Sequence, residues 1–248
     1  NHVNQITADE STVWCATEGG LIVYNIANKS TNLFDTQLGL AHNSIKSVFK
    51  DRLGKVWMGT HSRYLYAIYN SSIEEYEMTN RGELEIVQIT EDIEGNIWVA
   101  TSESGIYKKI GREFVNFSSD DGLKSNYTYS ILPDAAGNMW VGHRGALSKV
   151  SLEGDQIKFY DHKSGIEAQV NYRAVHIDEG KNLWFGTDLG GIKYDPEKDK
   201  KNNVAPVINL LGLSINDKAF NIDNPIELPY GKYRMRFDFI GVSFKNPE

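Results

Sequence analysis

Between residues 86 and 117 apolar and polar positions alternate in short runs separated by turn residues, a pattern that predicts strands. Ile86-Val-Gln-Ile-Thr-Glu91 is alternating and β-branched, as a half-buried strand requires. Asp92-Ile-Glu-Gly95 predicts a turn, because an Asp carboxylate at the first position accepts a backbone N–H two residues on and Gly suits the fourth. Ile97-Trp-Val-Ala-Thr101, Gly105-Ile-Tyr-Lys-Lys-Ile110 and Glu113-Phe-Val-Asn-Phe117 predict three further strands.

The pattern repeats. All five tryptophans, Trp14, Trp57, Trp98, Trp140 and Trp184, sit at its second strand, with gaps of 43, 41, 42 and 44 residues. Four short strands per period of that length define the blade of a β-propeller. The first repeat runs through 3–7, 12–17, 20–26 and 31–35, and lacks the Asp-x-x-Gly turn. The second runs through 45–50, 56–60, 64–69 and 73–78, and the fourth through 127–132, 139–143, 146–150 and 156–160. The fifth has 172–177, 183–187 and 191–194 but no fourth strand, because Asp195-Pro-Glu-Lys-Asp-Lys-Lys-Asn-Asn203 is a polar linker. Gly54, Gly95 and Gly137 close the turns, and the tryptophans are expected to wedge between neighbouring blades. An incomplete last blade leaves two arrangements: closure by the N-terminal strand, or excision from a larger ring. A chain that starts directly on a strand favours the second.

The pattern changes after the linker. Val207-Ile-Asn-Leu-Leu-Gly-Leu-Ser-Ile215 predicts a strand and Asn216-Asp217-Lys218 a tight turn. Tyr233, Met235, Phe237 and Phe239 alternate along one face of a further strand, as in one sheet of a sandwich. The expected organisation is all-β: five four-stranded blades over 1–200, the last incomplete, then a truncated Ig-like sandwich over 204–248.

Composition narrows the chemistry. A net charge of −7, with no basic run of five, argues against a nucleic-acid surface. No apolar run approaches a membrane span, and no signal peptide opens the sequence. Cys15 is alone, which excludes an internal disulfide and a cysteine-based zinc site. His2, His42, His61, His143, His162 and His176 are dispersed without ligand spacing, so no metal and no cofactor is expected. No Gly-x-Ser-x-Gly is present. Gly19-Gly20 and Gly190-Gly191 lack the helix and Lys of a phosphate loop and are expected to be hairpin turns.

Asp-x-x-Gly-Asn-x-Trp-x-Gly-Thr followed by Gly-Gly-Ile/Leu-x-x-Tyr resembles the two-component regulator propeller repeat. Gly39-Leu40-x-x-Asn43-Ser-Ile45 and Asp121-Gly-Leu-Lys-Ser-Asn126 share its lead-in. Pro229-Tyr230 and Phe237-Asp-Phe-Ile-Gly-Val-Ser-Phe244-Lys-Asn-Pro247 resemble the start of the Y-Y-Y sandwich that follows such propellers. The second repeat departs from the pattern with His61-Ser-Arg-Tyr64, and the fourth with His143 in place of Thr. The resemblance implies the periplasmic sensor region of a Bacteroides-type hybrid two-component system: five blades of a seven-bladed ring, in a homodimeric parent with a membrane helix and a cytoplasmic histidine kinase. It implies a response to oligosaccharides and no enzymatic activity for this chain. The rivals are a propeller lyase or glycosidase, and a structural or dimerising spacer.

A glycan site combines aromatic faces with polar groups. The loops entering first strands offer His42, Asn43, Lys46, Asn126, Tyr127, Tyr129, Asn171, Tyr172 and Arg173. The loops after the Trp strands offer His61, Arg63, Tyr64, His143 and Arg144. The pairs Tyr172–Arg173 and His143–Arg144 are the preferred candidates.

Overall fold

In the five blades the alternating runs become strands that pair with their neighbours in sequence. The computed structural model describes residues 2–69, 72–79, 82–196, 198, 207–222 and 225–242. Most of the 195–203 linker and the ending 243–248 lie outside them. Two compact units divide the chain, Asn1–Pro196 and Glu197–Glu248.

In the first unit, β1 (Val3–Ala8), β2 (Thr12–Thr17), β3 (Gly20–Asn25) and β4 (Thr31–Phe34) form the first antiparallel blade. The second holds β5 (Ile45–Lys50), β6 (Val56–Thr60), β7 (Tyr64–Tyr69) and β8 (Ser72–Glu77). The third holds β9 (Ile86–Glu91), β10 (Ile97–Thr101), β11 (Ile106–Ile110) and β12 (Glu113–Phe117). The fourth holds β13 (Ser130–Pro133), β14 (Met139–His143), β15 (Ala146–Val150) and β16 (Ile157–Tyr160). The fifth is three-stranded, with β17 (Val170–Ile177), β18 (Leu183–Thr187) and β19 (Gly190–Tyr194). The first strands β1, β5, β9, β13 and β17 pack side by side in that order, and β17 also touches β9.

Within the blades, two boundaries differ from expectation by more than one residue. The fourth blade's first strand begins at Ser130, not Tyr127, because the Tyr127 carbonyl accepts from the His143 ring instead of joining the ladder. The fifth blade's first strand begins earlier, at Val170, and its register breaks between Val170 and Val175, so residues 171–174 bulge from the ladder.

Each Asp-x-x-Gly hairpin does more than turn the chain. One oxygen of Asp92 accepts the backbone N–H groups of Glu94 and Asn96, both at 2.9 Å. The other accepts the indole N–H of Trp98 at 2.8 Å. Asp51–Trp57, Asp134–Trp140 and Asp178–Trp184 repeat the bond at 2.8, 3.0 and 2.8 Å. Gly54, Gly95 and Gly137 occupy the left-handed region at φ of 85°, 91° and 88°, which favours Gly.

Trp57, Trp98 and Trp140, hydrogen-bonded in this way, present their rings to the following blade, and Trp14, in the blade without the Asp turn, does the same. Trp14 packs on Val48 and Met58. Trp57 packs on Ile89 and Val99, Trp98 on Ile131 and Val141, and Trp140 on Leu183 and Phe185. Trp184 has no following blade among the described residues and stays 39% exposed. The blades approach closely at Gly59, where a Cβ would lie 2.7 Å from Cβ of Ile86 in the next blade. Gly59→Ala is therefore expected to destabilise by about 1–3 kcal/mol, as overpacking does. An unchanged urea midpoint would contradict that close approach.

Three 3-10 turns, Thr36–Leu38, Ser119–Asp121 and His162–Ser164, link successive blades. Asp35, Ser118 and Asp161 cap them, and Gly39, Gly122 and Gly165 end them in the left-handed conformation.

The second unit is one antiparallel sheet in the order β21 (Lys218–Phe220), β20 (Val207–Ile215), β22 (Met235–Val242). Asn216 and Asp217 make the expected tight turn at φ of 48° and 64°. Met235, Phe237 and Phe239 are exposed within it.

Candidate functional site

Antiparallel pairing puts the start of each first strand and the hairpin between second and third strands on one rim, with the Asp turns on the opposite rim. The candidates His61, Arg63, Tyr64, Tyr127, His143, Arg144, Tyr172 and Arg173 lie on the first rim, in two groups. His61, Arg63 and Tyr64 occupy the second blade's hairpin, where His61 bridges to Glu85 at the entry to β9. Arg63 donates to the Tyr64 hydroxyl at 2.7 Å and lies over its ring, with Glu77 at 3.5 Å. The other group gathers where the fourth and fifth blades meet. Arg144 bridges to Gln169, and Tyr129 meets Tyr172 edge-on with ring centres 4.8 Å apart. Tyr127 and Tyr172 are 55% and 59% exposed, so both offer ring surface to a ligand.

Arg173 ties the rim to its centre. It sits in the bulge of β17 at φ 57°, with its backbone N–H donating to Tyr129 at 2.9 Å. Its side chain crosses to three other blades. The Nε–H donates to the Val87 carbonyl at 2.6 Å, and the two Nη groups donate to Asn4 and Lys46 carbonyls at 2.8 and 2.7 Å. One residue thus joins all five blades at the rim end of the central channel. Burial pulls its pKa below the usual arginine range, and the charge of Glu85 pulls the other way.

His143 departs from expectation. It is fully buried, with Nδ1 2.8 Å from the Tyr127 carbonyl and Nε2 3.0 Å from the Ser148 hydroxyl. Both ring nitrogens are engaged, so it braces the rim from beneath and presents nothing to a ligand. Burial lowers its pKa to about 4, against the opposing pull of the Tyr127 carbonyl. The neutral ring is the form the fold favours. Its contribution to stability is complete above the unfolded pKa, about 6.5, and is lost as pH falls towards the folded value. The loss amounts to about 3 kcal/mol, from about 1.4 kcal/mol per pKa unit. Urea unfolding at pH 7 and pH 4 should show His143→Gln losing less stability with acid than wild type. Equal losses would remove His143 from the acid response.

Asn43 and Asn126 also serve the fold. Their side-chain oxygens accept the N–H groups of Thr36 and Ser119 at 2.8 and 2.7 Å, fastening the 3-10 turns. Lys46 is paired with Glu18 at 2.8 Å, and His42 accepts from the Ser44 N–H at 3.0 Å. Lys46, then Ser44 and Asn4, hold the Glu18 carboxyl down at about 2, so it is ionised at neutral pH. Asn171 is exposed. Among the described residues no group of three His, Cys, Asp or Glu side chains is placed to hold a metal. No described helix is long and apolar enough to cross a membrane.

The family profile described as two component regulator propeller matches residues 39–62 and 122–145, each a lead-in, first strand, Asp turn and Trp strand. Those two stretches carry the two component regulator propeller pattern. The chain is similar to "Histidine kinase P4" of Formosa agariphila, 28% identical over 229 residues. That similarity covers 86% of this chain and 17% of the relative, so the chain spans about a sixth of that protein. Among solved structures, the extracellular domain described as the hybrid two component system BT3049 from B. thetaiotaomicron superposes with a TM-score of 0.70 at 21% identity. The superposition covers 89% of this chain and 32% of that one. The corresponding BT4673 domain gives 0.66 at 19% identity, covering 86% and 28%. Virginiamycin B lyase from Staphylococcus aureus gives 0.62 at 16% identity, covering 77% and 68%. At these identities the superpositions establish a shared propeller fold.

Proposed function

We propose that this chain is an extracytoplasmic ligand-binding piece of a two-component sensor, with its ligand surface on the rim that carries Tyr127, Tyr172 and Arg173. The observation that carries the reading is the exposed Tyr172 ring next in sequence to a guanidinium tied to three other blades, with exposed Tyr127 on the same rim. It stands on a chain with two stretches that match the two component regulator propeller profile. Stacking on ring faces with polar groups at their edges is the chemistry by which oligosaccharides are held. In this reading the parent places the propeller in the periplasm, as a homodimer anchored by a membrane helix, and passes the signal to a cytoplasmic kinase. A ligand shifts the balance between two dimer arrangements only by the difference in its affinity for them.

The lyase superposition carries fold alone, and the rim end of this channel is crossed by Arg173 on three backbone carbonyls. An arginine tied to carbonyls is a binding and bracing group, not a general acid–base pair. Isothermal titration of the parent ectodomain against an oligosaccharide panel tests the reading. Heat with at least one member, reduced tenfold or more in affinity by Tyr172→Ala, is the expected result. No heat with any member would leave a structural spacer, and turnover of a member would restore the enzyme.

A further inference from the structure

Arg173 has donors to spare. A guanidinium carries five N–H groups. Its single Nε–H goes to Val87, and each Nη makes one bond, to Asn4 and to Lys46. One N–H on each Nη therefore remains without a bond among the described residues, and a carboxylate or sulfate has the oxygens to accept them. Among the described residues no carboxylate lies within ion-pair distance of Arg173. Glu85, exposed at the entry to β9, acts on it only at longer range, and the Lys46 ammonium is already paired with Glu18. A half-buried cation held by neutral carbonyls, with its charge uncompensated, is costly, and a ligand anion offsets that cost. Tyr172 and Tyr129 stand beside it, with the Tyr172 ring exposed.

We propose that the channel mouth over Arg173 is a subsite for the carboxylate or sulfate of an acidic sugar, with the sugar ring against Tyr172. The proposal rests on the oligosaccharide reading above and narrows its ligand class to anionic glycans. Glu85 opposes the incoming charge, so it sets the affinity: Glu85→Gln should bind the anion several-fold more tightly.

Nitrogen-15 NMR of the chain tests this through the Arg173 Nε–Hε resonance, assigned by its disappearance in Arg173→Lys. The probes are sodium sulfate, trigalacturonate and the methyl ester of trigalacturonate, which keeps the sugar and removes the charge. The expected result is a saturable shift with one or both anions, and an at least tenfold weaker response to the ester. Movement with sulfate alone or with the uronate alone identifies which anion the subsite takes. A resonance unmoved by both anions, or moved equally by the ester, overturns the subsite. Ring signals of Tyr172, followed in the same titrations, separate the two readings. If the ester perturbs Tyr172 while Arg173 stays still, sugar binding stands and the anion subsite falls. If neither saccharide perturbs Tyr172, the sugar reading fails with it.

Discussion

Trp98→Ala should lower the unfolding free energy by about 3–5 kcal/mol, the range for truncating a large buried aromatic. The ring is fully buried, stacked on Phe117 with centres 5.5 Å apart and packed on Ile131 and Val141 of the next blade. Removing it opens a void between two blades and leaves the Asp92 carboxylate without its indole donor. Neighbouring strands are held in register by their own ladders and collapse into such a void only in part. Trp184→Ala is the internal control. The same Asp bond and the same overlying lysine are present, yet the ring is 39% exposed with no following blade among the described residues. Its loss should cost about 1–2 kcal/mol, because less apolar area returns to water. Urea denaturation of both variants measures the pair. Equal losses would mean that the tryptophans act through their hairpins and not as wedges between blades.

That contrast marks what was legible in the sequence. Trp spacing and strand alternation locate the blades, because a half-buried strand writes its geometry as a period of two. The wedge role follows from one large apolar residue per blade. The Asp–Trp bond was not legible, since Asp92 and Trp98 are six residues apart and meet only when the hairpin folds. A signal existed, however: Lys108, Lys149 and Lys193 sit directly across the ladder from Trp98, Trp140 and Trp184 and lie over their rings. At the rim, sequence located the loops but could not separate exposed groups from braces. His143 and Arg144 are adjacent in sequence, yet His143 ends a strand buried along its whole length and Arg144 lies in the exposed hairpin beyond it. Arg173 was legible as a candidate but not as a clamp, because its partners Asn4, Lys46 and Val87 are brought to it only by the blades assembling around one centre.

Asp92→Ala should cost a comparable amount, about 3–5 kcal/mol, the range for removing one member of a buried charged pair. Asp92 is buried, and its two oxygens accept from the Trp98 indole, the Asn96 amide and two backbone N–H groups. The Lys108 ammonium lies 4.0 Å away. Alanine leaves the buried indole N–H without an acceptor, at a desolvation cost of about 1–3 kcal/mol, and removes the anchor of the partly exposed turn donors and of the nearby Lys108 ammonium. Burial raises the Asp92 pKa, but the donations from Trp98, Asn96 and Glu94 outweigh it and hold the group below the ordinary aspartate value. With the folded pKa depressed, the contribution of Asp92 is complete above the unfolded value, about 3.9, and is lost as pH falls below it. Asp92→Asn should therefore be less stable than wild type at pH 7, and the gap should narrow on acidification towards pH 3. Combining Asp92→Ala with Trp98→Phe, which keeps a ring but has no N–H, should give less than the sum of the single losses by about 1–2 kcal/mol. Full additivity in that cycle would show that the carboxylate supports the turn alone, and that the indole bond repeated in four blades contributes nothing to holding the ring in place.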